Sequence, residues 1–354
     1  MSADDYFDRT RLEVGRIMTS KLRVYLDTKY WVYLREAGRD RTACARKDIL
    51  ALLEHLVETG KVICPLSGQT FVELLKQRHR ESRLAGSKIM DRLSKQICFI
   101  SPTQIVGQEI ITFVRNRQAK SQGHPPFNNV KYIWTKVPFI LGELYPKWDG
   151  IPEVEQKALR ESFLDYLSKK PLQEIIELLP DRTPARNYTE LIDRLNKGKD
   201  ANQSWQTFHQ VFMHEIVAAL DVLREELGQV WRYLLEVDAG MSVSSETVQR
   251  LKSHELLTNV IYRAFDDGKV GRELPYIYVR GIIHAHYRYD KNRRYKENDI
   301  NDIGHSAWAL PYCQYFFTED SFAAIITQTK LDSYYGTTVL SKEGDVLGCL
   351  SKLA

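Results

Sequence analysis

The chain has 354 residues, 43% of them hydrophobic and 27% charged, with a formal net charge of +4 at pH 7. That length holds one large domain or two ordinary ones, the composition is that of a globular protein, and so small a positive excess points to no partner by itself. No apolar run reaches the ~18 residues of a membrane span, and five scattered cysteines without a CxxC pair argue against a disulfide framework or a zinc site and for a reducing cytoplasm. The charged N-terminus MSADDYFDRTRLEVGR lacks the apolar core of a secretory signal.

In chain order, LRVYL (Leu22 to Leu26) reads as a short buried strand stopped by Asp27. ILALLEHLVETG is a helix that ends at Gly60, KVICPLS a second strand broken by Pro65, and TFVELLKQ the start of another helix. QICFISP is a third strand. Late in the chain QYFFT and TTVLS are strands, and GDVLGCLSKL is a closing helix. Strands alternating with helices imply an α/β fold with a parallel sheet flanked by helices on both faces. From about Thr103 to Lys296 helical patterns dominate. Apolar residues at Trp205, Phe208, Phe212, Ile216, Leu220, Leu223, Leu227, Val230 and Leu234 predict one helix of roughly 30 residues, about 45 Å long, with its stripe packed as core. The expected organisation is a discontinuous α/β core over residues 20–100 and 297–354, with a large all-helical insertion at 101–296.

Ligands of open parallel sheets bind beyond the carboxyl ends of the strands. Asp27 follows LRVYL, Glu73 stands within two turns of the start of the helix after KVICP, Asp302 is placed at the start of a helix opening near Asn301, and Asp320 follows QYFF. Each has a plain structural reading as well: the aspartates are good helix caps, and a helical glutamate is usually solvated. Asp299 competes with Asp302, and Glu319 with Asp320. Four carboxylates at one sheet edge repel one another unless a cation neutralises them. Their hard oxygens suit Mg²⁺ or Mn²⁺, and the layout is that of metal-assisted phosphodiester hydrolysis. Thr28, Ser67 and Thr70 are candidate contacts to phosphate or metal-bound water. His305 reads either as an orienting group for Asp302 or the substrate phosphate, or as a satisfied polar residue near a helix start.

The blocks VYLDTKYW, CPLSGQTFVELL and NDIGHSAWALPYCQYFFTED resemble the three motif blocks of PIN-like ribonuclease domains. The resemblance implies a three-layer PIN-like core in which Asp27, Glu73, Asp302 and Asp320 are both catalytic residues and metal ligands, with Thr318 in the T-x-D turn before the last acid. It implies an endoribonuclease that leaves 5′-phosphate and 3′-hydroxyl ends, of the kind found in bacterial toxin or phage-defence systems. Relatives of this type often carry an acid after the PYC block, where this chain has Gln314. The insertion matches nothing in the family and is expected to offer a surface that binds a protein partner or antitoxin or that gates the substrate. The alternative is a PIN-like scaffold that binds RNA or protein without cutting.

The segment HAHYRYDKNRRYKEND precedes Asp302 and interleaves tyrosines with basic residues. Arg293, Arg294 and Tyr295 are its candidate nucleic-acid contacts, by phosphate neutralisation and base stacking, against the plain reading of a solvated connector. His284 and His286 have no acidic or cysteine partners at metal spacing. A haloacid-dehalogenase phosphatase needs a second aspartate where this chain has Lys29, and no P-loop or GxGxxG pattern occurs.

Overall fold

The computed structural model describes residues 3–39, 44–143, 146, 150–180, 188–201, 207–241, 253–268 and 270–354. In chain order the elements are α1 (Ala3–Thr19), β1 (Leu22–Leu26), α2 (Thr28–Arg39), α3 (Ala45–Glu58), β2 (Val62–Ile63), α4 (Gly68–Lys76), α5 (Arg80–Ser94), β3 (Ile97–Phe99), α6 (Pro102–Ser121), β4 (Trp134–Lys136), α7 (Glu153–Ser168), α8 (Leu172–Leu178), α9 (Thr189–Ala201), α10 (Phe208–Val222), α11 (Arg224–Tyr233), α12 (Ser253–Asp266), α13 (Pro275–Tyr289), α14 (Glu297–Tyr312), β5 (Tyr315–Phe317), α15 (Asp320–Gln328), α16 (Leu331–Tyr335), β6 (Thr338–Leu340) and α17 (Glu343–Leu353). Contacts divide the chain into a sheet unit (Met1–Ser101, Val130–Arg186 and Trp308–Ala354) and a helical unit (Pro102–Asn129 and Asn187–Ala307). No helix among the described residues is long and apolar enough to cross a membrane.

The fold of the sheet unit is α/β. Four parallel strands run in the order β2-β1-β5-β6, with Leu26 opposite Phe317 and Phe317 opposite Leu340. Pro65 has no N–H to give to a ladder, and β2 stops after Ile63. The chain rejoins the sheet at Leu66, which bridges Cys98 in parallel, so β3 lies outside β2. Side chains alternate as a strand buried on both faces requires. Val24, Leu26 and Phe317 enter a core with Tyr30 and Leu34 of α2, Leu53 and Leu56 of α3, and Val346 and Leu350 of α17. Tyr25 points the other way, toward Phe99 and Phe316, and Phe99 in turn meets Trp308 and Tyr312 of α14.

The unit boundaries differ from the expected ones. The described residues of 130–180 group with the sheet although they lie inside the stretch read as insertion, and residues 297–307, read as core, group with the helices. The cause of the first difference is β4, which pairs antiparallel with β3 and sets Trp134 on Phe99 at 4.3 Å between ring centroids. Three residues of strand give almost no periodicity to read. Nearby, Asp91 accepts the Leu172 and Gln173 N–H groups at 2.8 and 3.0 Å and so caps α8. α1 closes over β4, and Gly15 makes that approach possible: a Cβ there would stand 2.0 Å from the Lys131 carbonyl oxygen.

Within the helical unit, the predicted long helix is two helices. Trp205 lies outside the described residues. The helix breaks at Leu223 (φ −90°, ψ 13°), which lets α10 pack on α13 while α11 packs on α12 and α6. α13 is braced at both ends by charge. The fully buried Glu109 accepts the Tyr276 N–H with both carboxylate oxygens at 3.1 Å. The Lys199 ammonium donates to the carbonyls of Tyr287 (2.9 Å), Asp290 and Arg293. A negative group at the helix start and a positive one at its end both oppose the helix dipole favourably and satisfy orphan backbone groups. Along the same helix Glu215 pairs with Arg288, both largely buried. His284 is held neutral, its pKa pulled down to about 3 by burial and by the positive charges of Arg280 and Arg288.

Two outcomes follow from this packing. Gly15→Ala must displace backbone and is expected to cost about 1–3 kcal/mol, whereas Gly228→Ala, with open space around the helical glycine, should add about 1 kcal/mol. Melting curves of both variants check the pair; equal behaviour would contradict the α1 contact. The second concerns pH. The unfolded chain binds a proton at His284 near pH 6.5 and the folded chain only near pH 3, so this stabilisation is complete above 6.5 and is lost as pH falls toward about 3. The melting temperature should drop across that window, and His284→Gln should flatten the drop.

Candidate active site

The carboxyl ends of β1 and β5 form a topological switch point. From β1 the chain turns through α2 and α3 to β2 on one side; from β5 it turns through α15 and α16 to β6 on the other. Such a divergence leaves a crevice between the two strand ends. The Asp27 N–H donates to the Phe317 carbonyl at 3.0 Å, so the residue just past β1 is fastened to the last residue of β5. Asp27 is 4% exposed. Its Oδ1 accepts the Tyr30 N–H at 3.2 Å, the bond of an N-cap to the third helical residue. The cap reading of Asp27 and its position at the crevice are therefore both true.

Other acids come to the same edge. The Thr28 hydroxyl donates to Glu73 Oε2, drawing α4 against the start of α2. Asp320 is the exposed first residue of α15, while Glu319 accepts the Ser321 hydroxyl at 2.9 Å in its own loop. Tyr30 is buried at the start of α2, near some of these acids. Its phenol pKa is raised, first by burial and then by the negative charges of Asp27, Glu343 and, more weakly, Asp320. The Tyr30 hydroxyl donates to the Ser341 carbonyl at 2.8 Å, so the ends of β1, β5 and β6 meet around one ring. Glu343 was not among the expected site residues. It opens α17 just beyond β6, pairs with Arg46 at 2.8 Å, and the Arg46 guanidinium lies 3.6 Å from the Tyr33 ring centroid. The rule that picked out Asp27, an acid just after a strand, applies equally to TTVLSKE.

The hydroxyls divide into two kinds. Ser67 is fully buried, caps α4 by accepting the Thr70 N–H at 3.2 Å, and lies 2.6 Å from the Tyr25 hydroxyl. Thr70 is 1% exposed and its hydroxyl stands 3.2 Å from that of Ser67. These two groups close a network inside the sheet unit and present no surface to a substrate. Thr318 is different. It is fully buried at the end of β5, its N–H donates to Leu340, and its Oγ1 has no protein hydrogen-bond partner among the described residues.

The remaining expected residues lie in the helical unit. α14 begins at Glu297, not near Asn301: Asp299, the third helical residue, reaches back and accepts the Lys296 N–H at 2.8 Å. Asp299 also pairs with Arg293 at 2.7 Å. The capping role thus belongs to Asp299, and Asp302, half-buried, is well inside the helix. His305 is 2% exposed. Tyr295, expected to stack on a base, is 3% exposed, packs on Tyr287 and donates its hydroxyl to the His284 carbonyl at 3.0 Å. Arg293 stacks 3.9 Å from the Tyr287 ring, and the exposed Arg294 pairs with Asp200 at 2.7 Å. In these positions Arg293 and Tyr295 brace their own loop.

The expected divalent cation can be set against these groups. The donors at the edge are carboxylates and hydroxyls, which suit Mg²⁺ or Mn²⁺, and the orphaned Thr318 Oγ1 is a buried polar atom in want of a partner. Among the described residues no three His, Cys, Asp or Glu side chains form a group that could hold an ion. The donor set fits in kind. Gln314, the departure from the family pattern, lies at the opposite end of β5, where its Oε1 accepts the Arg23 N–H at 2.9 Å. It bears on strand pairing and not on the acidic edge. No family model matches the chain, and no curated protein or solved structure matches it either.

The Tyr25 network yields a direct test. Ser67→Ala removes a cap and leaves the buried Tyr25 hydroxyl short of a partner, so a loss of about 2 kcal/mol is expected. Adding Tyr25→Phe should recover roughly half of it, because removing both partners is cheaper than removing one. Denaturation of the two variants decides; a Ser67→Ala protein of unchanged stability would return this hydroxyl to the candidate substrate contacts.

Proposed function

We propose that the chain is a PIN-like, metal-dependent endoribonuclease that cuts RNA to 5′-phosphate and 3′-hydroxyl ends. The observation that carries this reading is the order of acids along one sheet edge: Asp27 just past β1 and bonded to Phe317, Asp320 and Glu343 just past β5 and β6, and Glu73 tied to the start of α2 through Thr28. Asp27, Glu73 and Asp320 would hold Mg²⁺ or Mn²⁺; Asp302, in the helical unit, remains a candidate on the strength of the motif alone. Such an ion supplies charge neutralisation at the phosphate and makes water more acidic. The chain's own groups do the rest. The Asp27 cap and the Thr28–Glu73 bond fix two carboxylates before substrate arrives, which saves reorganisation during the reaction. The Thr318 hydroxyl, buried and without a protein partner among the described residues, would hold a water behind the edge. The setting, as a toxin or an anti-phage effector in the cytoplasm, rests on the sequence resemblance.

A second reading is favoured by one observation: no described trio of side chains stands ready to hold an ion. On that reading the protein is a scaffold of the same fold that binds RNA or a protein without cutting.

One experiment separates them. Wild type is compared with Asp320→Asn and Asp302→Asn in RNA cleavage and in melting with and without Mn²⁺. A nuclease should gain melting temperature from Mn²⁺, since a ligand stabilises the state that binds it. Both variants should lose most of that gain and cut at least about a hundredfold more slowly. Asp27→Asn should behave likewise while folding normally, because asparagine caps a helix as well as aspartate. Variants that cut like wild type and respond fully to Mn²⁺ would sink the nuclease reading.

A further inference from the structure

One helical turn beyond Glu73 the surface becomes basic. Lys76, Arg78, His79 and Arg80 occupy the last turn of α4 and the turn into α5, and Arg35 and Arg39 lie on the neighbouring α2. Arg39, Arg78, His79 and Arg80 are exposed. Neutral oxygens hold much of this set in place. Arg35 donates to Gln77 Oε1 at 2.5 Å, and Arg39 and Arg80 donate to the Glu81 and Glu177 carbonyls at 3.0 Å each. Among the described residues the acids of the patch are Glu36, Glu81 and Glu177; Glu36 lies 3.7 Å from Arg35 and 3.5 Å from Arg46. Among the described residues Arg39 and Arg78 make no ion pair.

The patch and the acidic edge lie on one seam. Thr28 and Glu73 join α2 to α4 at its acidic end, and Arg35 and Gln77 join the same helices at its basic end. At helical rise, Arg35 is about 10 Å and Arg39 about 16 Å beyond Thr28, a length that a few nucleotides of extended strand would cover. Guanidinium groups with neutral partners keep their charge available to phosphate, and no exposed aromatic ring is needed for a contact that reads backbone and not base. A single line of cations follows a single backbone.

We infer that the α2–α4 seam binds the backbone of a single-stranded nucleic acid, with Arg39 and Arg78 gripping phosphates a few nucleotides from the acidic edge. The direction of the strand rests on the nuclease reading. The division of charge has a consequence for that reading: the carboxylates repel phosphate at the cutting point, and the basic turn supplies the attraction that keeps the strand in place.

The test uses the full chain and a labelled oligouridylate of about a dozen nucleotides, titrated in EDTA at several salt concentrations. Arg39→Glu with Arg78→Glu should weaken binding about tenfold or more and lower the salt slope by about two. Lys330→Glu with Lys352→Glu changes the net charge equally at exposed positions elsewhere and should leave both nearly unchanged. Melting curves confirm that each variant is folded. The inference is overturned if wild type does not bind, if both pairs weaken binding alike, or if a duplex of the same length binds tighter than the single strand. Binding that follows the seam without any cutting in Mn²⁺ would keep this inference and remove the nuclease reading.

Discussion

The pairing of β1 with β5 holds together strands that lie at opposite ends of the chain. Arg23 and Gln314 are 291 residues apart, yet the Arg23 N–H donates to the Gln314 side chain and the Gln314 N–H to the Arg23 carbonyl. The Arg23 guanidinium adds bonds of 2.6 Å to the carbonyls of Tyr312 and Met18, and its burial lowers its pKa. At the far end, Asp27 is bonded to Phe317. The ladder is thus pinned at both ends. A slip of one residue would turn Tyr25 into the core of Val24 and Leu26 and would carry Asp27 away from the crevice. The acidic edge exists because that slip is forbidden.

Much of the sheet unit could be read from residue type and order. LRVYL, ICF, YFF and TVL are strands because β-branched and aromatic side chains fill both faces of a covered sheet. The acids at their carboxyl ends follow from the same reading. What escaped it depends on contacts distant in sequence. β4 is a strand only because β3 offers it an edge. Asp299 and Asp302 could not be ranked until the Lys296 bond showed which one caps the helix. Tyr295 looked like a stacking ring because its neighbours are charged, and it is buried because Asn196, about a hundred residues earlier in sequence, holds its backbone through bonds of 2.9 and 3.2 Å. Charge in a sequence window does not say which way a ring points.

The helical unit shows how costly groups are used when they are fully matched. Glu109, Lys199, Glu215 and Arg288 are buried charges, which destabilise a fold when left alone. Here Glu109 and Lys199 meet the orphan backbone groups of α13, and Glu215 meets Arg288. The Lys199 bonds reach past α13 to Asp290 and Arg293. That makes the segment a braced loop, where the plain reading had a solvated connector and the other a nucleic-acid contact.

The long separation between paired strands also sets a clock on biosynthesis. At ribosomal speeds of about 5–20 residues per second, roughly 15 to 60 seconds pass between the emergence of β1 and that of β5. During that interval the nascent chain carries Asp27 without Asp320 or Glu343, and β1 has no partner on its β5 side. The sheet edge that carries Asp27, Asp320 and Glu343 is therefore complete only once nearly all of the chain has been made.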